Sequence, residues 1–161
     1  MAKARKSWRE KLHDSKDLPK LVELTTEQAK RMGVLPGEKM VVPAPIEVDE
    51  LMRKVPPGKV VTINDIRAAL AKKHGAAVAC PMTTGIFARI AAEAAVEAAS
   101  AGEENTTPYW RTLKAGGALN EKYPGGVEVQ KQLLENEGLT VVQKGKRWVV
   151  ADYEKHLFAL P

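Results

Sequence analysis

The chain has 161 residues, 44% of them hydrophobic and 28% charged, and its 25 Lys and Arg against 20 Asp and Glu give a formal net charge of +5. This composition supports one domain with a small appendage and excludes wholesale disorder. Because the sequence has no run of about 18 apolar residues, we expect no membrane partner.

Cysteine and histidine usage excludes two further kinds of site. The single cysteine, Cys80, cannot form an internal disulfide or a Cys-rich zinc site, and the three histidines lie far apart in the sequence. The basic start leads into Trp8 and more charges, which is not typical of a signal peptide. We therefore expect a cytoplasmic protein with no metal site and no cofactor.

The positive charge is concentrated at the N-terminus. Residues 1–20 carry seven Lys or Arg against three Asp or Glu, a local net of +4. A basic arm of this kind favours polyphosphate partners through counterion release, although a solvated, frayed terminus has the same composition. Residues 85–104 have the opposite sign, with Arg89 against four glutamates. If this segment is a helix that contacts DNA, we expect the contact at its N-terminal end, because the glutamates follow later in the segment.

The first 45 residues predict a basic N-terminal arm followed by a small strand–helix–strand extension. Residues 20–24 and 39–42 are typical of short strands. Between them, Thr25 and Gln28 have the spacing of a capping box that opens a short helix, and Gly33 ends it.

Three helices are predicted in the middle of the chain. Apolar residues at helical spacing predict an amphipathic helix over about 46–54. A second helix, capped by Thr62 or Asn64, ends at Gly75. A long alanine-rich helix follows over about 80–99.

The last part of the chain predicts one helix and a hairpin. Residues 127–137 have an apolar helical face that includes Val129, and the alternation around Lys144-Gly145-Lys146 predicts a hairpin with a basic tip. The order of these elements is that of a helix-turn-helix domain with a wing. We therefore predict an α+β, mainly helical fold. It has an N-terminal arm and extension over 1–45, a winged helix-turn-helix-like domain over 46–138, and a C-terminal hairpin and tail over 139–161 packed on that domain.

Two stretches of the chain carry a family pattern. The first is Val55-Pro56-Pro57-Gly58-Lys59-Val60-Val61-Thr62-Ile63-Asn64-Asp65-Ile66, and the second is Tyr123-Pro124-Gly125-Gly126-Val127-Glu128, followed by Lys131, Leu133-Leu134 and Glu137-Gly138. They resemble the Ile-Pro-x-Gly-x-Val-x-Thr-Tyr-x-Asp-Ile and Tyr-x-Gly-Gly-Leu segments of the DNA-binding domain of the alkylguanine-DNA alkyltransferases. In order and approximate spacing, the resemblance covers residues 46–138.

The departures from this family concern its chemistry. Where the family has an active-site Pro-Cys-His-Arg, this chain has Pro108-Tyr109-Trp110-Arg111. A phenol with a pKa of about 10 is a poor alkyl acceptor and indole is not a general base, so the resemblance implies no catalytic residue. The pattern is similar to that of the alkyltransferase-like proteins, which have an aromatic residue in place of the Cys and bind alkylated guanine without repairing it.

The resemblance also implies a pocket for an extruded base. Three of the chain's eight aromatic residues fall in this region, and stacking on them contributes about 1–3 kcal/mol per base. The alternative is that Tyr109 and Trp110 fill the vacated pocket as core. The predicted pocket residues are Pro108, Tyr109, Trp110, Arg111, Tyr123, Pro124, Gly125 and Glu137.

DNA contacts are expected at the start of the long helix. Met82 stands where the family has the Arg that replaces the flipped base, and a methionine acts as an apolar wedge between base steps. Thr83 and Thr84 are candidates for phosphate binding or for helix capping, and Ile63 replaces the family's Tyr. The predicted DNA-binding residues are Thr62, Asn64, Met82, Thr83, Thr84, Gly85, Arg89, Lys114, Lys144 and Lys146, with Arg147 on the hairpin and Lys3, Arg5, Lys6 and Arg9 on the arm as further candidates.

Four functions are consistent with these residues; we favour the first and keep the second as its alternative. The first is a monomeric, non-catalytic protein that binds double-stranded DNA, senses alkylated guanine by base flipping and hands the lesion to a downstream repair protein. The second is a regulatory or architectural winged-helix DNA binder with a plugged pocket. The third is an active methyltransferase using Cys80, and the fourth is a protein-interaction module without DNA affinity.

Overall fold

Six α-helices and three small β-sheets make up residues 6–161, the part of the chain that this computed structural model describes. The predicted α+β, mainly helical fold is confirmed. The helices are α1 (Trp8–His13), α2 (Thr26–Met32), α3 (Pro45–Arg53), α4 (Ile63–His74), α5 (Pro81–Ser100) and α6 (Gly126–Asn136). The strands are β1 (Lys20–Glu23), β2 (Lys39–Val42), β3 (Val61–Thr62), β4 (Val78–Ala79), β5 (Thr112–Leu113), β6 (Val141–Lys144) and β7 (Arg147–Val150).

The N-terminal extension shares a sheet with the rest of the chain. β1 pairs antiparallel with β2, and β2 pairs in parallel with β4, the short strand that leads into α5. Between the first two strands, the Thr25 and Gln28 capping box opens α2, and Gly33 in the left-handed conformation ends it. The extension is therefore fixed to the entrance of the long helix through backbone hydrogen bonds.

The N-terminal segment is not a free arm from Trp8 onwards. It forms α1, which packs on α5 and buries Leu12 in the main core. The alanines of α5 are almost all buried, and their small side chains let α1 and α3 approach the long helix closely. Lys3 and Arg5 lie outside the described residues.

A helical core surrounds α5. Buried side chains of α3 and α4, among them Val48, Met52, Ile66 and Leu70, pack with the alanine face of α5. Thr62 caps α4 by accepting a hydrogen bond from the Asp65 amide, which decides between the two predicted caps.

A second apolar cluster joins α6 to the β6–β7 hairpin. Leu134 of α6 packs there with Val141 and Val150 of the two hairpin strands. The predicted apolar face of α6 is wrong at one position, because Val129 is 41% exposed. Gln130 is buried in its place, and its amide is satisfied by two backbone groups, the N–H of Asn120 and the carbonyl of Trp110.

Gly125, the residue before α6, has φ of +81° and allows a close contact with Val129. An ideal Cβ on Gly125 would lie 2.3 Å from Val129 Cγ2, whereas one on the neighbouring Gly126, at φ of +69°, would meet no atom within 4 Å. We expect Gly125→Ala to lower the free energy of unfolding by about 3 kcal/mol, because it combines backbone strain with a clash against a stiff β-branched side chain, and Gly126→Ala by about 1 kcal/mol. Urea unfolding of both variants measures the difference, and equal losses would contradict it.

Candidate nucleic-acid interface

Three aromatic side chains form a packed cluster next to the short helical turn over Tyr109–Arg111. The Tyr109 ring meets the rings of Trp110 and Tyr123 edge to face, with both centroid distances at 5.4 Å. Tyr109 is 4% and Tyr123 3% exposed, and the Tyr123 hydroxyl donates to the Thr112 carbonyl at 3.1 Å. The three rings are thus tightly packed, and the side-chain amide of Gln130 donates to the backbone carbonyl of Trp110.

The two buried phenols stay neutral. Burial, with a smaller effect from the Glu93 carboxylate, raises the pKa of Tyr109 above its ordinary value of 10.0. Burial also raises the pKa of Tyr123. Neither hydroxyl is an anion near neutral pH, so neither supplies a nucleophile.

Arg111 and Glu137 form an ion pair beside the cluster. The guanidinium donates from Nε to Oε1 and Oε2 at 3.0 Å and from Nη2 to Oε2 at 2.5 Å, and its Nη1 donates to the Val55 carbonyl at 2.8 Å. The Gly58 amide donates to the same carboxylate at 3.3 Å. Burial alone would raise the pKa of Glu137, but the hydrogen bonds from Arg111 and Gly58 outweigh it and lower that pKa below its ordinary value. This pair ties α6 to the turn before β3.

An open cavity lies beside the first half of α5. It has a volume of about 720 Å³ and is lined by residues of α1, the start of α4, α5, β5 and the loop between β5 and α6. Five of the predicted residues, Met82, Gly85, Arg89, Lys114 and Tyr123, line it together. We call it the α5 cavity.

The α5 cavity has a positive rim. Four cations, Lys11, Arg89, Lys114 and Lys122, line it against one carboxylate, Glu121. Lys114 pairs with Glu121 at 3.3 Å on the surface. A net excess of three positive charges around a partly apolar cavity favours an anionic ligand that also has an apolar face.

Apolar side chains project from the start of α5. Met82 is 73% and Ile86 50% exposed, and the spacing of four residues places them on the same side of the helix. Thr84, by contrast, is buried, and its hydroxyl donates to the Cys80 carbonyl at 2.6 Å, so this side chain is not accessible to a phosphate. Cys80 is half-buried and does not line the α5 cavity.

Other predicted residues lie outside the α5 cavity. Thr62 is buried and engaged as the cap of α4, whereas Asn64 is exposed and accepts a hydrogen bond from Arg67. Lys144 and Lys146 are exposed at the hairpin tip. The remaining predicted residues that do not line the cavity are Thr83, Pro108, Tyr109, Trp110, Arg111, Pro124, Gly125, Glu137 and Arg147, whose Nη2 donates to the Ala115 carbonyl at 2.6 Å.

The cations of the N-terminal segment have different roles. Lys6 pairs with Asp14, and Arg9 pairs with Glu103 at 2.6 Å, so these two predicted DNA contacts hold the protein's own acidic groups. Lys11 instead lines the α5 cavity with Trp8. Neither Lys11 nor Trp8 was predicted as a site residue, and the only signal in the sequence was their place in a basic segment.

Among residues 6–161, no three His, Cys, Asp or Glu side chains are grouped so that they could hold a metal ion. None of the helices described is long and apolar enough to cross a bilayer.

Comparison with known proteins finds similarity only among solved structures. No family model and no curated protein sequence matches the chain. One similar structure is S. pombe Atl1 in complex with damaged DNA containing O6-carboxymethylguanine, at 19% identity and a TM-score of 0.48, and another is S. pombe ATL in complex with DNA, at 18% identity and a TM-score of 0.45. In each comparison the match covers 71% of this chain and 93% of the chain in the solved structure. Membership of the alkyltransferase family therefore stays a prediction.

Proposed function

We propose that this chain is a non-catalytic DNA-binding protein that recognises alkylated guanine by accepting the extruded base in the α5 cavity. The observation that carries the proposal is the juxtaposition of this cavity with the exposed Met82 and with the cations of its rim. A nucleotide needs this combination, because its base is flat and partly apolar and its phosphates are anionic.

The exposed side chains of α5 supply the means of opening the duplex. Met82 and Ile86 are apolar, project from neighbouring turns and have solvent around them. Apolar wedges of this kind enter base steps and unstack them at a cost of a few kcal/mol, which contacts with the bent DNA offset. Met82 would then fill the space that the extruded base leaves.

The site has the groups for binding but lacks an alkyl acceptor. Tyr109 occupies the position of the family's cysteine and is a buried, neutral phenol, and Trp110 beside it cannot accept a proton. Glu137 is held by Arg111 rather than by a histidine. A protein that binds the lesion without removing it acts by handing it to a separate repair protein, and we propose that role here.

A second candidate is a winged-helix DNA binder without lesion preference. The observation in its favour is the burial of Tyr109, which packs against both Trp110 and Tyr123 at the position where the resemblance places the family's acceptor. The two candidates share the DNA-binding face and differ in whether the α5 cavity takes a base.

The DNA-binding face is tested by the salt dependence of binding to an unmodified duplex. Replacing Arg89, which is exposed on the rim, by Gln is expected to make the slope of log K against log salt shallower by about 0.9, the effect of one lost phosphate contact. Arg31→Gln on α2 is the matched control, because Arg31 is exposed and lies outside the cavity, and its slope should equal that of the unmodified protein. Absence of salt-dependent DNA binding in the unmodified protein would overturn the proposal.

A further inference from the structure

The N-terminal helix α1 is anchored to the far part of α5. The backbone N–H groups of Trp8 and Arg9, in the first turn of α1, donate to the two carboxylate oxygens of Glu97 at 3.2 Å each. Arg9 also pairs with Glu103, and Leu12 is buried in the core. The acidic half of α5 therefore holds α1 in one position, at the edge of the α5 cavity.

Two cations from different elements meet at one indole there. Lys11 Nζ lies 4.3 Å from the centroid of the Trp8 ring, and Arg89 Cζ lies 5.7 Å from it. Both distances are within the range of cation–π attraction. All three side chains line the cavity. Attraction to the same ring therefore keeps the two positive side chains close together.

The two cations differ from their neighbours in their partners among the described residues. Within residues 6–161, neither Lys11 nor Arg89 forms an ion pair with a carboxylate, whereas Lys6 and Arg9 of the same segment both do. Two neighbouring like charges without counter-charge repel each other, and a polyanion that binds both relieves that repulsion. Lys6 and Arg9 therefore form ion pairs within the protein, whereas Lys11 and Arg89 can bind an anionic ligand.

We infer that α1 is part of the DNA-binding surface, with Lys11 and Arg89 binding backbone phosphates of the strand whose base enters the cavity, and with Trp8 as the positioning residue for both. The inference rests on the proposed function and extends it to a segment outside residues 46–138. Phosphate contacts fix the register of the strand and carry no base preference. Lys11 therefore contributes equally to binding of modified and unmodified duplexes.

The test compares Lys11→Ala with Lys30→Ala, since Lys30 is an exposed lysine of α2 that does not line the cavity. Lys11→Ala is expected to make the slope of log K against log salt shallower by about 0.9 for the alkylated and for the unmodified duplex. The loss of affinity between about 50 and 200 mM salt is then about threefold smaller than in the protein without substitutions. Lys30→Ala should leave the slope unchanged. An unchanged slope for Lys11→Ala, with salt-dependent binding of the unmodified protein intact, overturns the inference alone. If the protein without substitutions shows no salt-dependent DNA binding, the proposed function itself is overturned.

The role of Trp8 is tested by combining substitutions. If Trp8 positions Lys11, then Lys11→Ala should cost clearly less affinity in a Trp8→Leu background than in the unmodified protein, and Trp8→Phe should restore most of the coupling. Thermal unfolding of each variant confirms that the helix is still docked. Fully additive losses in folded Trp8→Leu protein would show that Trp8 only packs α1 and would overturn its positioning role.

Discussion

Replacing Glu137 by Ala is expected to lower the free energy of unfolding by about 3–5 kcal/mol, the usual cost of breaking a buried ion pair from one side. The side chains of Arg111 and Glu137 are only 11% and 13% exposed, so the substitution leaves a guanidinium without its counter-charge. It also removes the acceptor of the Gly58 amide. Denaturant unfolding measures the loss. Glu135→Ala, at an exposed position of the same helix, is the control and should cost less than about 1 kcal/mol.

The pH dependence of this effect has a definite sign. The pKa of Glu137 is lower in the folded protein than its ordinary value of 4.5, so the folded state binds this proton less readily than the unfolded state. The carboxylate therefore contributes its full stabilisation above pH 4.5 and loses it as the pH falls through the folded pKa. The stability gap between the unmodified protein and Glu137→Ala should narrow in acid. A gap that stays constant from neutral pH into that range would contradict the role of the ion pair.

Replacing Gly85 by Leu is expected to remove the preference for alkylated DNA without destabilising the protein. Gly85 lies inside α5 and lines the cavity, and a Cβ there would meet no atom within 4 Å. A leucine side chain therefore enters the space proposed for the base. Because glycine disfavours a helix interior, the same substitution should stabilise the protein by about 0.5–1 kcal/mol. We expect the affinity for a duplex with one alkylguanine to fall about tenfold or more, and the affinity for the unmodified duplex to change much less.

Gly85→Ala separates the effect on the helix from the effect on the cavity. An alanine raises helix stability by about 1 kcal/mol but fills little of the cavity, so it should retain most of the lesion preference. Fluorescence anisotropy with both duplexes and thermal unfolding of both variants complete the comparison. An undiminished preference in Gly85→Leu would mean that the base binds elsewhere.

Features that depend on neighbouring residues could be predicted from the sequence. The capping box of Thr25 with Gln28 and the ends of helices at Gly33 and Gly75 were predicted correctly, because each is decided within one helical turn. The hairpin around Gly145 was also predicted, since alternating strands and a two-residue loop are local patterns. In α6, by contrast, Gln130 takes a core position because distant backbone groups satisfy its amide, and hydrophobic periodicity carries no sign of that.

The composition of the candidate site could be predicted only in part. Site residues in α5 and in the loop before α6 were predicted from the resemblance, and several of them line one cavity in the structure. Trp8 and Lys11 were not predicted, because the hydrogen bond that fixes their helix joins Glu97 to Trp8, a residue 89 positions earlier in the chain. The Arg111 and Glu137 pair likewise joins positions 26 apart. Such contacts follow from the packing of helices and not from local sequence.

Whether the α5 cavity accepts an alkylated guanine is tested by the affinity of the protein without substitutions for two matched duplexes. One duplex carries a single alkylguanine and the other does not, and fluorescence anisotropy is recorded for both at two salt concentrations. Binding of the base in the α5 cavity predicts a preference of about tenfold or more for the modified duplex, with salt-sensitive binding to both. Equal, salt-sensitive affinities would contradict it and leave a winged-helix DNA binder whose cavity takes no base.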